Sequence, residues 1–166
     1  MGFVSFVRDL DTVGDGTGAT NGAQNFSASA TDFKLLHTGK FMILNSLSLV
    51  LQNNNSQFFP TGYGSLAALT NGISLRYRFK GVDYDLLRGK LIKRTSHLME
   101  SASSFSAFDL AGGVKDTLLK AVFWFDFLRQ EHMVLDRTGD FFKVRLNDDF
   151  SGLARHTFTI SGVVEE

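Results

Sequence analysis

The residues of this 166-residue chain best suited to chemistry are carboxylates set among glycines. Asp9, Asp11 and Asp15 fall in one turn-rich stretch that also holds Gly14, Gly16, Gly18 and Gly22. Hard cations take several oxygen ligands from flexible loops, which makes these three aspartates the candidate metal ligands. Their spacing is not that of an EF-hand loop, and no bidentate glutamate follows at the required distance. Asp and Gly are also the ordinary material of a solvated or subunit-contacting loop, and that is the reading expected here, with no metal bound. Gly14-Asp15-Gly16-Thr17-Gly18 has the glycine content of a phosphate-binding loop. It lacks the Lys-Ser/Thr pair and the helix that would follow.

The other reactive groups are scattered. Asp148 and Asp149 are adjacent, so in an extended segment they point to opposite sides and do not form a carboxylate pair. His37, His97, His132 and His156 lie far apart, and none has a second ligand at metal spacing on its own element. His156 reads as a core or rim histidine. No Gly-x-Ser-x-Gly elbow positions a serine nucleophile, and no cysteine is present for thiolate, disulfide or metal chemistry. The expectation is a protein that is not an enzyme, with no catalytic residue and no cofactor. A β-sandwich hydrolase drawing on Asp9, Asp11, Asp15, Asp148 and Asp149 is the alternative that a glycan and ester screen addresses.

The elements that must carry these groups are strands. From Phe142 the chain alternates, with Phe142, Val144 and Leu146 on one side and Lys143 and Arg145 on the other. From His156 the alternation resumes with Phe158, Ile160 and Val164 against Thr157, Thr159 and Ser161. Period two is the mark of a strand with one buried and one wet face. Asn147 to Gly152 is turn material, so the two runs predict a hairpin with a multi-residue loop. Ile73, Leu75, Tyr77 and Phe79 alternate with Ser74, Arg76, Arg78 and Lys80, and a short hairpin is expected at Gly81. Phe41 to Leu51 has apolar residues on both parities at its start, which predicts a central strand covered on both sides. Phe123 and Phe125 oppose Val122 and Trp124 in a strand over 118–128. Phe3 to Val7 suits a short opening strand, Ser65 to Thr70 a helical turn, and 95–113, rich in Ser and Ala, a long connection. The count is about eight or nine strands with long loops. The prediction is an all-β, antiparallel, jelly-roll-like β-sandwich, one domain over 1–166 with an extended Gly-rich N-terminal arm or loop over 1–31.

Composition restricts the partners. Lys plus Arg and Asp plus Glu are each 17, so the formal net charge is zero. Such a chain lacks the positive footprint that phosphate backbones demand, and no specific nucleic acid is expected. Near-neutrality favours self-association. Seventeen Phe are a heavy load for one sandwich interior, and aromatic rings are enriched at interface centres. The N-terminal residues show no secretion signal, and the apolar run at Phe41 is too short and too interrupted to span a bilayer, so no membrane is expected. Two groups are candidates for protein contact. Arg76, Arg78, Lys80, Arg88 and Lys90 belong to a run of cations between 76 and 94, either a docking face for an acidic patch or a solvated face. Phe58, Phe59 and Tyr63 form an aromatic loop suited to stacking on a sugar or packing on a neighbour.

Several of these stretches together carry a resemblance: Val13 to Gly18, Phe26-Ser27, Thr31 to Lys34, Gly62 to Gly64, Leu69 to Ile73, Val144 to Leu153 and His156 to Phe158. This succession resembles small virion structural proteins of tailed bacteriophages. The resemblance runs over nearly the whole chain and is weakest over 81–134. It implies a capsid-associated protein of decoration, cement or minor capsid type, located in the virion and assembled in the host cytoplasm. It also implies contacts with the major capsid protein or other virion proteins, and a homo-oligomer, with a trimer favoured. A neck or tail appendage, or a glycan- or receptor-binding module, is the alternative.

Overall fold

The computed structural model describes residues 2–16, 21–22, 24–53, 69–86, 104–108, 118–125 and 133–166. Its elements are all strands: β1 (Phe3–Asp9), β2 (Asn21–Gly22), β3 (Thr31–Leu36), β4 (Met42–Asn53), β5 (Ile73–Phe79), β6 (Val82–Asp85), β7 (Ser104–Phe108), β8 (Leu118–Trp124), β9 (Met133–Leu135), β10 (Phe141–Leu146) and β11 (Leu153–Glu165). Nine have four residues or more, and β2 and β9 are shorter. The chain is all-β, built as two antiparallel sheets. The first runs β1-β11-β4-β8-β7, with β2 also on β11 and β9 also on β4. The second runs β3-β10-β5-β6.

Pairing is nested. Opening strand β1 pairs with closing strand β11, β3 with β10, β4 with β8, and β5 with β6. This is a long hairpin whose chain crosses between layers from β2 to β5 and again from β9 to β11, consistent with a jelly-roll arrangement. One sequence-based expectation changes as a result. β10 and β11 do not form a hairpin: β10 lies between β3 and β5 in one sheet, and β11 between β1 and β4 in the other. Alternation reports which face of a strand is buried, and both strands do bury the expected residues. It does not report the neighbour, and the loop at Asn147 to Gly152 is a crossover between layers.

Strand β4 explains its own mixed pattern. Ser161 pairs with Ser46 and Gly162 with Leu44, leaving Asn45 as the extra residue of a β-bulge. The bulge shifts parity by one, so Met42 and Leu44 face the core before it and Leu47, Leu49 and Leu51 after it. Its apolar residues on both parities therefore mark one buried face and a kink, and not two buried faces; Ile43, Ser48 and Val50 on the outside are half-buried. A second shift, at Ala154, lets both Leu153 and His156 point inward on β11. Chain approach at the first bulge is close. A Cβ on Gly162 would overlap the Ile43 carbonyl oxygen, so the backbone itself requires glycine there.

The opening strand expected over Phe3 to Val7 is present, and one expected connection differs. The N-terminal arm contributes β1, hydrogen-bonded along its length to β11, and its turn after Asp9 is tied to β3 through Lys34 N to Asp11 O at 2.7 Å. Within 95–113, expected as a connection, Ser104–Phe108 forms β7 on β8. Ser/Ala-rich sequence has weak strand propensity, and pairing with a strong neighbour overrides it. The expected hairpin at Gly81 is present, with Lys80 and Gly81 both at positive φ. The helical turn over Ser65 to Thr70 falls mostly outside the described residues.

The layers close on one apolar cluster that draws on both sheets. Phe33 of β3 meets Phe158 of β11 with ring centroids 5.4 Å apart, and Phe125 meets Phe142 of β10 at 5.3 Å. Tyr77 crosses the same gap. Its hydroxyl donates to Val134 O at 2.6 Å and accepts from Val134 N at 3.0 Å, so a phenol is buried with both its roles filled. Most described Phe rings are consumed by this interior.

Two buried aspartates secure the ends. Asp148 accepts from the backbone amides of Thr70, Asn71 and Gly72. Asp140 accepts from those of Lys80, Asp136 and Arg137. Each replaces water for several amides at once: Asp148 ties the β10–β11 crossover to the segment entering β5, and Asp140 ties the turn before β10 to the β5–β6 hairpin. Asp148→Ala, which orphans three amides, is expected to lower stability by about 3 kcal/mol in urea titration, while Asp149→Ala, on the exposed neighbour, changes it by less than about 0.5 kcal/mol.

Candidate protein-interaction face

The two outer faces of the sandwich differ in chemistry. On the second sheet, cross-strand register places Lys34, Lys143, Arg76 and Asp85 in one row and Leu36, Phe141, Arg78 and Asp83 in the next. Arg78 holds Asp83 with two hydrogen bonds, at 2.6 and 2.8 Å. Arg145 holds Asp32 at 2.6 and 2.9 Å, and Lys143 Nζ lies 3.4 Å from the same carboxylate. The Arg145 guanidinium, helped by Lys143, holds the Asp32 carboxyl below the ordinary carboxylate range against the opposing effect of burial. Lys143 also sits 4.0 Å from the Phe141 ring centre. This is a charged face already engaged with itself.

The first sheet presents the opposite. Reading across β1, β11, β4 and β8, the outward row is Val7, Ser161, Ser46 and Trp124. The row beside it is Asp9, Thr159, Ser48 and Val122, and on the other side lie Ser5, Val163, Ile43 and Val134. Val7 is 73% and Trp124 50% exposed, high values for large apolar side chains. Two pairs of polar groups among them bond within the face. Ser46 and Ser161 hydroxyls are 2.7 Å apart, and Thr159 donates to Asp9 at 2.6 Å. Charges lie at the margins, in Asp9 at the end of edge strand β1 and in Lys120, Arg155 and Glu165.

The candidates named from sequence separate accordingly. Arg76, Arg78 and Lys80 do share one face, but Arg78 is bound to Asp83 and Lys80 lies 3.6 Å from Asp136. Arg88, Lys90, Phe58, Phe59 and Tyr63 lie outside the described residues. Asp9 serves Thr159, Asp11 accepts from the Gly14 amide in a tight turn, and Asp15 is exposed. Among the described residues no group of three or more His, Cys, Asp or Glu is placed to hold a metal ion, and no helix is long and apolar enough to cross a membrane. No family model, curated protein or solved structure matches this chain. What sequence reading missed is the uncharged face. Its residues come one or two at a time from five strands, and only the register collects them.

Inside, His156 is fully buried among Phe26, Phe33, Phe150 and Phe158, at centroid distances of 5.5 to 6.0 Å. Neither ring nitrogen has a hydrogen-bond partner among the described residues. Removal from water pushes its pKa down to about 4. A histidine that stays neutral in the folded state and protonates near 6.5 when unfolded subtracts stability as pH falls. The loss begins near pH 6.5, is complete near pH 4 and amounts to about 3 kcal/mol. Denaturant midpoints at pH 7 and pH 4.5 should therefore fall further for the native chain than for His156→Phe; equal falls would show that His156 does not control the acid response.

Proposed function

We propose that this chain is a non-catalytic structural protein of a tailed-bacteriophage virion, associated with the capsid as a decoration, cement or minor capsid protein. The observation that carries the reading is the division of the two sandwich faces, one charged and self-paired, the other uncharged at its centre. A surface of the second kind gains by covering itself with protein, at roughly 25 cal/mol per Å² of apolar area before the costs of association. The sequence resemblance to small virion proteins supports the place, and the neutral net charge supports assembly with itself and with other virion proteins. The nested two-sheet order supports a jelly roll, a slab whose buried turns suit a load-bearing part.

In this reading the chain acts by adhesion, with the major capsid protein as principal neighbour and no turnover of a substrate. Quantitative mass analysis of purified particles tests it. Many copies per particle, in proportion to the major capsid protein, are expected. A few copies confined to the neck or tail would replace the capsid reading with that of an appendage or host-glycan-binding module, and absence from particles would end both.

A further inference from the structure

We infer that the outer face of the first sheet is a self-association surface, and that its occupant is the same face of another copy of this chain. The inference rests on the adhesive, structural reading above and gives that reading its first partner. The centre of the face, from Val7 and Ser161 through Ser46 to Trp124 and Val122, carries no charge. A partner that laid a charged side chain there would strip it of water with nothing to pair it, a cost of several kcal/mol. The matching surface must be uncharged at its centre and polar at its rim, as this face is of itself.

Three further observations favour a copy of the same chain. The central hydroxyls of Ser46 and Ser161 already bond each other and Thr159 donates to Asp9 at the edge of the face, so covering the centre leaves a single serine hydroxyl proton for the partner to accept. At about 3.3 Å per residue and 4.8 Å between strands, the face over β1, β4, β8, β9 and β11 measures roughly 670 Å², close to the ~800 Å² per partner of a stable interface. The zero net charge of the chain leaves no long-range repulsion between copies. The charged second sheet then remains outward, toward solvent or other virion components.

The chain contains one tryptophan, and it lies on this face, so its emission reports on the contact directly. Sedimentation velocity of the full chain over a dilution series, with Trp124 emission followed in parallel, is the test. The native chain is expected to sediment as a closed oligomer, with emission moving to longer wavelength as dilution separates the copies. Val7→Lys and Trp124→Asp should each weaken association at least about a hundredfold. Arg76→Glu, on the other sheet, should leave it unchanged. Val7 is mostly exposed, so its variant keeps the test open if Trp124→Asp fails to fold. A native chain that is monomeric throughout, an oligomer that survives Val7→Lys, or one that Arg76→Glu dissolves would each overturn the inference. Self-association through this face by a chain absent from particles would instead sink the virion reading and leave the interface standing.

Discussion

The ladder between β4 and β11 is the constraint on which the rest depends. These are the two longest strands, of 12 and 13 residues, and every other strand of the first sheet is placed by one of them or by β8, which β4 holds. Their side chains divide correctly only because Asn45 and Ala154 are bulged out. Without the shift at Asn45, Met42 and Leu44 would turn to water while Leu47, Leu49 and Leu51 stayed inside, and without that at Ala154, Leu153 would turn out while His156 stayed in. The close backbone approach at Gly162 belongs to the same device, since a side chain there would force the strands apart. Core and outer face are thus two consequences of one register.

Polar groups inside this framework divide by whether they are satisfied. Tyr77, Asp140 and Asp148 each have partners, and each ties together parts of the chain remote in sequence. Burying them costs little and specifies which turn meets which. His156 has only aromatic rings around it. It packs as an apolar ring while neutral, and becomes a fault line when the medium favours its charged form. A fold that is more stable at neutral pH than in acid follows from that single position.

The sequence made the faces of the strands legible and left their neighbours hidden. Alternation in Phe142 to Leu146, His156 to Val164 and Ile73 to Phe79 predicted the buried face of each strand, with Ser74 buried and Phe79 and Val164 half-buried as the departures, because a strand's period is a local property. The nesting of β10 and β11 into different sheets was not local, and the turn residues between them suit a hairpin and a crossover equally. β7 was missed because Ser104 to Phe108 has little strand character without β8 beside it. The candidate face was the least legible part. Each strand shows only a Val, Ser or Thr at its outward positions, and Trp124 looked like one more aromatic beside Phe123 and Phe125. The basic residues drew attention because charge is conspicuous in a sequence, whereas Asp32, Asp83 and Asp136, which answer it, are brought close by the fold.

If the β4–β11 ladder organises the molecule, it should be the last structure to open. Native-state hydrogen exchange, read amide by amide by NMR, measures this directly. The paired amides of β4 and β11 should exchange only through global unfolding, with free energies equal to the stability from denaturant titration, while those of edge strands β1 and β6 exchange sooner. Earlier exchange across β4 and β11 than across β3 and β10 would contradict it.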